Sequence, residues 1–438
     1  MIKIFRNLLK NKIAQNAGWL FLGNVAQLII TFVIGILTAR FLGPSNYGII
    51  NYGNAYQNFF LAISSLGMNS IILKELVNMP EDDGEILGTG ISLRLTASVL
   101  SLGIITLISS MVDRGEHLII TVTFLCSTVL VFQTFEIFKL WFQSRLLGKK
   151  IAISCFLAYL ISSAYKVYLL ASGKPVIWFA VTATIDNVFA AVFLYYNYRK
   201  SGGGKLSFNM SRGITILRQS YHFILSAMMI AMYNSMDKFM LKQMLSETEV
   251  GYYSTAANLS TIWCFVLNSL IESMTPSIIE SYHGDRNVFN RNNKLLYSMI
   301  FYISSAVALF FTIFGRLIIP ALYGEAYAPS VRPLIILSWL VAFSYMGVAR
   351  NAWVVCEDKQ KYLKYIFAAA ALFNLILNYV MIPVWGASGA AFASLLTQLF
   401  TSIIAPLLIR PMRENALLML QAMNPAYLIG TLKKLKEG

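Results

Sequence analysis

Apolar runs of about 20 residues recur along the whole chain, and short segments between them carry most of the charged residues. A run of this length crosses the hydrocarbon core of a bilayer as an α-helix. The pattern predicts twelve membrane-spanning helices: Trp19–Leu37, Tyr47–Leu73, Leu87–Ile108, Leu118–Phe142, Ile151–Leu170, Val176–Tyr196, Tyr221–Leu245, Gly251–Ile278, Leu295–Ile319, Val331–Val355, Tyr362–Trp385 and Ala387–Ile409.

Two sets of similar positions along the chain indicate that these spans form two repeated halves. Leu42–Gly48 and Leu245–Gly251 each join an apolar span to one studded with polar residues, and Trp141 has a counterpart in Trp353. The glycine-rich linker between the halves has the composition of a flexible connection. The predicted organisation is a cytoplasmic amphipathic N-terminus (1–16), an N-lobe (17–197), a cytoplasmic linker (198–214), a C-lobe (215–410) and a cytoplasmic tail (411–438).

Composition and charge agree with a membrane protein. Of the 438 residues, 57% are hydrophobic and 13% are charged, about half the charged share of an ordinary soluble domain. The net charge of +15 raises the question of nucleic acid, but 24 of the 35 Lys and Arg residues lie in segments on the side of the N-terminus and six in the opposite segments. This positive-inside bias accounts for the charge without nucleic acid and predicts that both termini are cytoplasmic.

Charged residues inside the predicted spans are the strongest functional signal. Five are basic and four acidic: Arg94, Lys139, Lys166, Lys238, Arg350, Glu136, Asp186, Asp237 and Glu272. A charge at the bilayer centre costs about 2.5–3.5 kcal/mol on the insertion scale, so such residues usually face a polar interior. As a set, the basic residues predict a cationic cavity that binds an anion.

Several of these charges also have a purely structural interpretation. Lys139 follows Glu136 at the spacing of a helical ion pair. Lys166 and Arg350 lie near span ends, where a long side chain reaches the interface, and Arg94 lies near the inner side. Six amides add predicted polar lining, with interhelical hydrogen bonding as the alternative: Asn24, Gln27, Asn51, Asn54, Gln57 and Asn234. Asp186 and Asp237 are candidates for ion coupling, unless each only neutralises a nearby basic residue.

Four segments resemble a known family: Ala39–Gly48 (Ala-Arg-Phe-Leu-Gly-Pro-Ser-Asn-Tyr-Gly), Val250–Ala257 together with Asp237-Lys238, Glu357–Lys361 and Gly386–Ala391. They look like segments of Wzx-type lipid-linked oligosaccharide flippases, which are polysaccharide exporters of the multidrug/oligosaccharidyl-lipid/polysaccharide (MOP) superfamily. The resemblance covers about residues 14 to 410.

The resemblance implies an all-α integral membrane protein with two pseudo-symmetric six-helix lobes around a central cavity. The cavity would take the pyrophosphate and sugars of an undecaprenyl-linked repeat unit of O-antigen, capsule or exopolysaccharide. It further implies a monomer in the bacterial cytoplasmic membrane that works with a polysaccharide polymerase and chain-length machinery. No cofactor is expected beyond proton or sodium coupling.

Three other functions fit the sequence less well. Lipid II flippases typically have fourteen spans and charges in the first, whereas Trp19–Leu37 has none. Multidrug exporters favour cations, which a basic interior repels. A membrane glycosyltransferase or polymerase needs a catalytic constellation, and the histidines here are scattered while the loops are short. The sequence therefore predicts a transporter and not an enzyme.

Overall fold

The computed structural model describes residues 12–282 and 284–425, with side chains from residue 23 onward except at positions 24, 222, 223, 225, 226, 230 and 234. Most of the predicted amphipathic segment 1–16 and the end of the predicted tail lie outside these residues. The described chain consists of helices and short connections, without a strand. It forms two compact units that divide between Ser235 and Met236, inside a helix and not within the predicted linker.

The first unit begins with a long helix that is broken at Gly43 (φ 71°, ψ 170°), where the sequence predicts a turn. Pro44 follows directly, at the position where a new helix accepts proline without losing a hydrogen bond. The helices of this unit are α1 Lys12–Ser64, α2 Asn69–Asn78, α3 Asp83–Val112, α4 His117–Ser127, α5 Val129–Gln133, α6 Ile137–Ser144, α7 Gly148–Ala171, α8 Val176–Ala180, α9 Thr182–Lys200 and the first part of α10 Met210–Met244.

The second unit takes the end of α10 and eight further helices. These are α11 Glu247–Thr261, α12 Phe265–Tyr282, α13 Arg286–Tyr323, α14 Val331–Cys356, α15 Gln360–Trp385, α16 Ala387–Leu399, α17 Ala405–Leu408 and α18 Arg413–Ala422. A π-helical turn, Phe400–Ile404, separates α16 from α17. The apolar core of the second unit contains Trp353, and that of the first unit contains Trp141.

The described residues contain ten stretches that are long and apolar enough to cross a membrane. Nine correspond one to one with predicted spans, and Val25–Ser64 covers the first two, which Gly43 divides. The remaining predicted span lies in α10, where several side chains are not described. The all-helical membrane architecture is thereby confirmed.

The end of the second predicted span is wrong. That span was predicted to reach Leu73, but α1 ends at Ser64, the chain bends at Leu66 and Gly67 with positive φ, and α2 begins at Asn69. Hydrophobicity continues through the bend, so the apolar pattern does not reveal it.

The predicted repeat has a counterpart in backbone geometry. Trp141 and Trp353 are both fully buried. Five residues after each tryptophan, the chain adopts a left-handed conformation, at Leu146 (φ 55°) and Asp358 (φ 52°). A positive φ is uncommon outside glycine, and these two residues lie at matching positions of the predicted repeat.

The linker differs from the flexible connection that its composition predicts. Its backbone lies against α3: Gly204 N–H donates to Asp83 Oδ1 (3.1 Å) and Ser207 N–H donates to the Gly84 carbonyl (3.2 Å). Asn209 N–H donates to Thr89 Oγ1 (3.0 Å). The glycines that suggested flexibility instead allow close backbone contact, and the linker is an ordered part of the first unit.

Asp83 connects this linker to the buried aromatic core. Its Oδ2 accepts hydrogen bonds from Trp141 Nε1 (2.6 Å) and from the Arg145 guanidinium (3.0 Å). Arg145 also lies over the Trp141 ring, 4.2 Å from its centroid. One carboxylate therefore satisfies the linker, the tryptophan and an arginine, as a buried charge requires.

Candidate substrate and coupling sites

A polar cavity of about 460 Å³ lies in the first unit among α1, α2, α3, α5 and α6. Two of the predicted basic residues, Arg94 and Lys139, line it together with Glu136. Hydroxyl and amide side chains supply most of the remaining polar surface: Asn58, Ser64, Ser65, Asn69, Ser98, Gln133, Thr134 and Gln143. Such a lining offers both charge and neutral hydrogen-bonding groups to a polar ligand.

Arg94 is the best placed of the predicted residues. It is only 5% exposed, and its Nη2 donates to Asn69 Oδ1 at 2.6 Å. Its buried Nε has no hydrogen-bond partner among the described residues. A guanidinium has five N–H donors, so Asn69 leaves most of them available. Arg94 is therefore a cation with unused donors at a cavity wall.

Lys139 shows the ion pair that its spacing predicts. Its Nζ lies 2.5 Å from Glu136 Oε1, and both side chains remain partly exposed at 28% and 36%. Because Glu136 offsets the charge of Lys139, the net positive charge of the cavity wall comes from Arg94. Lys139 and Glu136 still present their remaining donor and acceptor positions to the cavity.

Lys166 and Asp186 form a second charged region of the first unit. Both are half-buried, and the charges of Lys166 and Lys139 act on the Asp186 carboxylate. Asp186 Oδ1 is buried without a hydrogen-bond partner among the described residues. Neither residue lines the 460 Å³ cavity. This arrangement favours charge neutralisation as the role of Asp186.

Asp237 is the centre of a buried polar network in the second unit. It is 5% exposed and accepts hydrogen bonds from Ser394 Oγ (2.7 Å), Asn378 Nδ2 (2.7 Å) and the Tyr253 hydroxyl. Lys238, the next residue, is half-buried and its charge acts on Asp237. Three neutral donors around one carboxylate compensate its removal from water.

The network continues along one face of α15. Asn378 Nδ2 also donates to Asn374 Oδ1 (3.0 Å), and Asn374 Nδ2 lies 3.4 Å from both Ser394 Oγ and Thr397 Oγ1. Asn378 Oδ1 is buried without a partner among the described residues. Carboxylate, amide and hydroxyl oxygens are the ligands that hard cations prefer. The Asp237 network therefore has the chemistry to hold a proton or a small cation.

Of this network, the sequence pattern predicts only Asp237. The members that it does not predict are Asn374, Asn378, Ser394 and Thr397. One signal was available: Asn374 and Asn378 lie four positions apart within an apolar span, which places them on the same helical face. Their contact with Asp237 joins residues more than a hundred positions apart, which spacing does not reveal.

Arg350 is placed differently from the other basic candidates. It is 2% exposed, and its Nη1 donates to the Thr401 carbonyl at 2.8 Å. Thr401 belongs to the π-helical turn, where the regular i to i−4 pattern of backbone bonds changes. Arg350 thus braces α14 against this turn and is not part of the Asp237 network.

The predicted amides whose side chains are described do not line the 460 Å³ cavity. Asn51 is buried and donates to the Tyr47 carbonyl of its own helix (2.9 Å). Gln27, Asn54 and Gln57 are half-buried on α1, and none of them lines the 460 Å³ cavity. The side chains of Asn24 and Asn234 lie outside the described residues.

Comparison with known proteins decides the family. A model of the polysaccharide biosynthesis protein family matches residues 13–282, more than half of the chain. The chain belongs to this family. The resemblance seen in the sequence motifs is confirmed, and the polysaccharide biosynthesis family, read with the relatives described next, indicates a membrane transporter and not an enzyme.

Relatives of this polysaccharide biosynthesis protein cover nearly its whole length. It is 22% identical over 410 residues to the capsular polysaccharide biosynthesis protein CapF of Staphylococcus aureus (89% of this chain, 97% of that protein). It is 21% identical over 393 residues to a putative O-antigen transporter of Escherichia coli strain K12 (86% of this chain, 91% of that protein). The solved structure of the lipid II flippase MurJ in an inward closed conformation matches with a TM-score of 0.66, at 14% identity over 92% of this chain and 90% of that one. The last likeness shows that the two chains share a fold.

Proposed function

We propose that this protein is a flippase that moves an undecaprenyl-pyrophosphate-linked oligosaccharide from the cytoplasmic to the outer leaflet. The repeat unit belongs to an O-antigen, a capsule or an exopolysaccharide, and the names of two relatives mention the first two of these products. The observation that carries the proposal is Arg94, a buried cation with unused donors at the wall of a polar cavity.

The cavity suits the two chemical parts of this substrate. A guanidinium binds phosphate oxygens through parallel, charge-assisted hydrogen bonds, which are stronger where water is scarce. The surrounding amides and hydroxyls match sugar hydroxyl groups, which both donate and accept. The lipid tail remains in the bilayer, so the protein does not need to enclose it.

The Asp237 network is the proposed site of ion coupling. Binding of a proton or a sodium ion changes the charge of a carboxylate that touches α11, α15 and α16 through Tyr253, Asn378 and Ser394. A ligand shifts a conformational equilibrium by its differential affinity for the two states. Coupled alternating access follows if the cation binds one state more tightly than the other.

The cellular setting is part of the same proposal. The bias of basic residues towards one side supports both termini in the bacterial cytoplasm and the protein in the cytoplasmic membrane. A polysaccharide polymerase and chain-length machinery would consume the flipped unit on the outer side. We further propose that the flippase acts as a monomer.

Charge removal at the cavity tests the substrate site. In a strain that lacks the chromosomal copy, Arg94→Gln should lower surface polysaccharide by at least about tenfold, since a hydrogen bond to a charged group contributes about 1.5–3 kcal/mol. Arg94→Lys, which keeps the charge but not the planar fork, should give an intermediate level. The measurement is polymer per cell, normalised to flippase in the membrane.

Lys74→Gln is the matched control, because Lys74 is exposed on α2 of the same unit and does not line the cavity. It should export normally. Normal export by Arg94→Gln at equal protein level would show that the cavity is not the substrate site.

A further inference from the structure

A second polar cavity, of about 570 Å³, lies in the second unit at the end where α13 meets α14 and α15 meets α16. This is the end opposite to the connection 357–359 of the same unit. Its charged and polar lining includes Arg316, Arg332, Glu249, Glu325, Trp385 and Ser388. None of these residues belongs to the Asp237 network, so the cavity is a separate site.

The two arginines of this cavity are available to an anion. Both are exposed, Arg316 near the end of α13 and Arg332 at the start of α14, and neither forms an ion pair within the described part of the chain. Two guanidinium groups at one cavity provide the donors for a phosphate group.

The two glutamates of this cavity differ in their contacts. Glu249 accepts from Ala387 N–H at 2.6 Å, so its carboxylate lies at the positive end of α16, which satisfies its charge. Glu325 is exposed in the turn Glu325–Ser330 and has no ion pair with any residue that the structure describes. One acceptor for a cationic group therefore remains beside the two arginines.

A mainly apolar groove of about 670 Å³ adjoins this cavity, and five residues line both: Glu249, Arg332, Ile335, Trp385 and Ser388. It continues along Leu245, Ile336, Val384 and Phe392. Val384 is 71% exposed and Trp385 is 55% exposed, as expected of side chains that face lipid. Tryptophan is enriched at the level of the lipid head groups. The charged cavity and the apolar groove together match an amphiphile, which has a polar head group and an apolar chain.

We propose that this site binds a zwitterionic aminophospholipid. The phosphate lies between Arg316 and Arg332, the ammonium group lies at Glu325, and one acyl chain follows the groove towards Phe392. The two free guanidinium groups and one free carboxylate complement a head group that carries both charges. A phospholipid head group fits a cavity of about 570 Å³. The site thus differs in ligand from the proposed substrate cavity.

Native mass spectrometry of the purified full-length protein tests the proposal. After exchange into detergent with equal amounts of phosphatidylethanolamine and phosphatidylglycerol, the wild type should retain phosphatidylethanolamine in preference. Arg316→Gln with Arg332→Gln should reduce that retention about tenfold, and Arg316→Lys with Arg332→Lys should restore part of it. Glu325→Gln should remove the preference for ethanolamine while phosphatidylglycerol still binds.

Arg114→Gln is the matched control, since Arg114 is an exposed arginine in a connection of the first unit. It should bind lipid as the wild type does. Equal retention by the double glutamine variant, with an unchanged unfolding temperature, would overturn the site. Equal retention of the two lipids by the wild type would overturn the ammonium assignment. Displacement of the lipid by millimolar inorganic phosphate would show an ion site instead of a lipid site.

Discussion

Asp237→Asn should reduce polysaccharide export to the level of a strain without the flippase, while the protein still reaches the membrane. The substitution keeps the size of the side chain but removes the negative charge on which Ser394, Asn378 and Tyr253 converge. Without that charge, neither a proton nor sodium has a counter-ion at this site. Asp237→Ala should also destabilise the fold, since each buried donor left unsatisfied costs about 1–3 kcal/mol.

Unfolding temperatures of the purified protein distinguish a loss of ion coupling from a loss of folding. A cation present at 100 times its dissociation constant stabilises the native state by about 2.7 kcal/mol. Added sodium, or a lower pH if the coupling ion is a proton, should therefore raise the unfolding temperature of the wild type. Asp237→Asn should lose this response. Asp113→Asn is the control, because Asp113 is also a buried acid, 2% exposed, and accepts from the Tyr52 hydroxyl (3.2 Å) outside the network. An unchanged cation response in Asp237→Asn would exclude Asp237 as the coupling site.

The sequence could predict the spans and the polar residues within them, but not which of those residues meet. Burial of a charge in lipid is costly wherever it occurs, so Arg94, Lys139 and Asp237 were visible as exceptions in apolar runs. Lys139 and Glu136 are close in sequence, and their pairing was predicted correctly. Contacts between different helices depend on packing, which a hydrophobic pattern does not encode.

Arg350 and Arg94 show the limit of reasoning from residue type. Both are arginines within predicted spans, and both are almost fully buried. Arg94 donates to a side chain at a cavity wall, whereas Arg350 donates to the backbone carbonyl of Thr401 at a π-helical turn. The turn, Phe400–Ile404, lies within a predicted span, and the hydrophobic pattern does not reveal it. The roles of the two arginines therefore separate only in three dimensions.

The glycines of α3 explain why the linker is ordered although its composition predicted otherwise. Gly84 and Gly88 lie one helical turn apart, a spacing that lets two backbones approach closely. A Cβ atom at Gly84 would lie 2.2 Å from the Lys205 carbonyl oxygen, and one at Gly88 would lie 2.3 Å from that of Ser207. The order of the linker is therefore determined by residues more than a hundred positions before it.

Gly88→Ala should consequently release the linker from α3. The added methyl group cannot fit at 2.3 Å from a backbone atom, and overpacking of this kind typically costs about 1–3 kcal/mol. The hydrogen bond from Ser207 N–H to Gly84 and that from Asn209 N–H to Thr89 would be lost together. Tryptic cleavage after Lys205, whose side chain is exposed, should become faster, and the unfolding temperature should fall.

Gly103→Ala is a control on the same helix, since a Cβ atom at Gly103 meets nothing within 4 Å. It should leave cleavage at Lys205 unchanged and stabilise α3 slightly, because alanine has the higher helix propensity. Equal cleavage rates in Gly88→Ala and Gly103→Ala would show that the linker is not held by close contact with α3. If cleavage rises as expected but export is unchanged, the contact stabilises the first unit without serving transport.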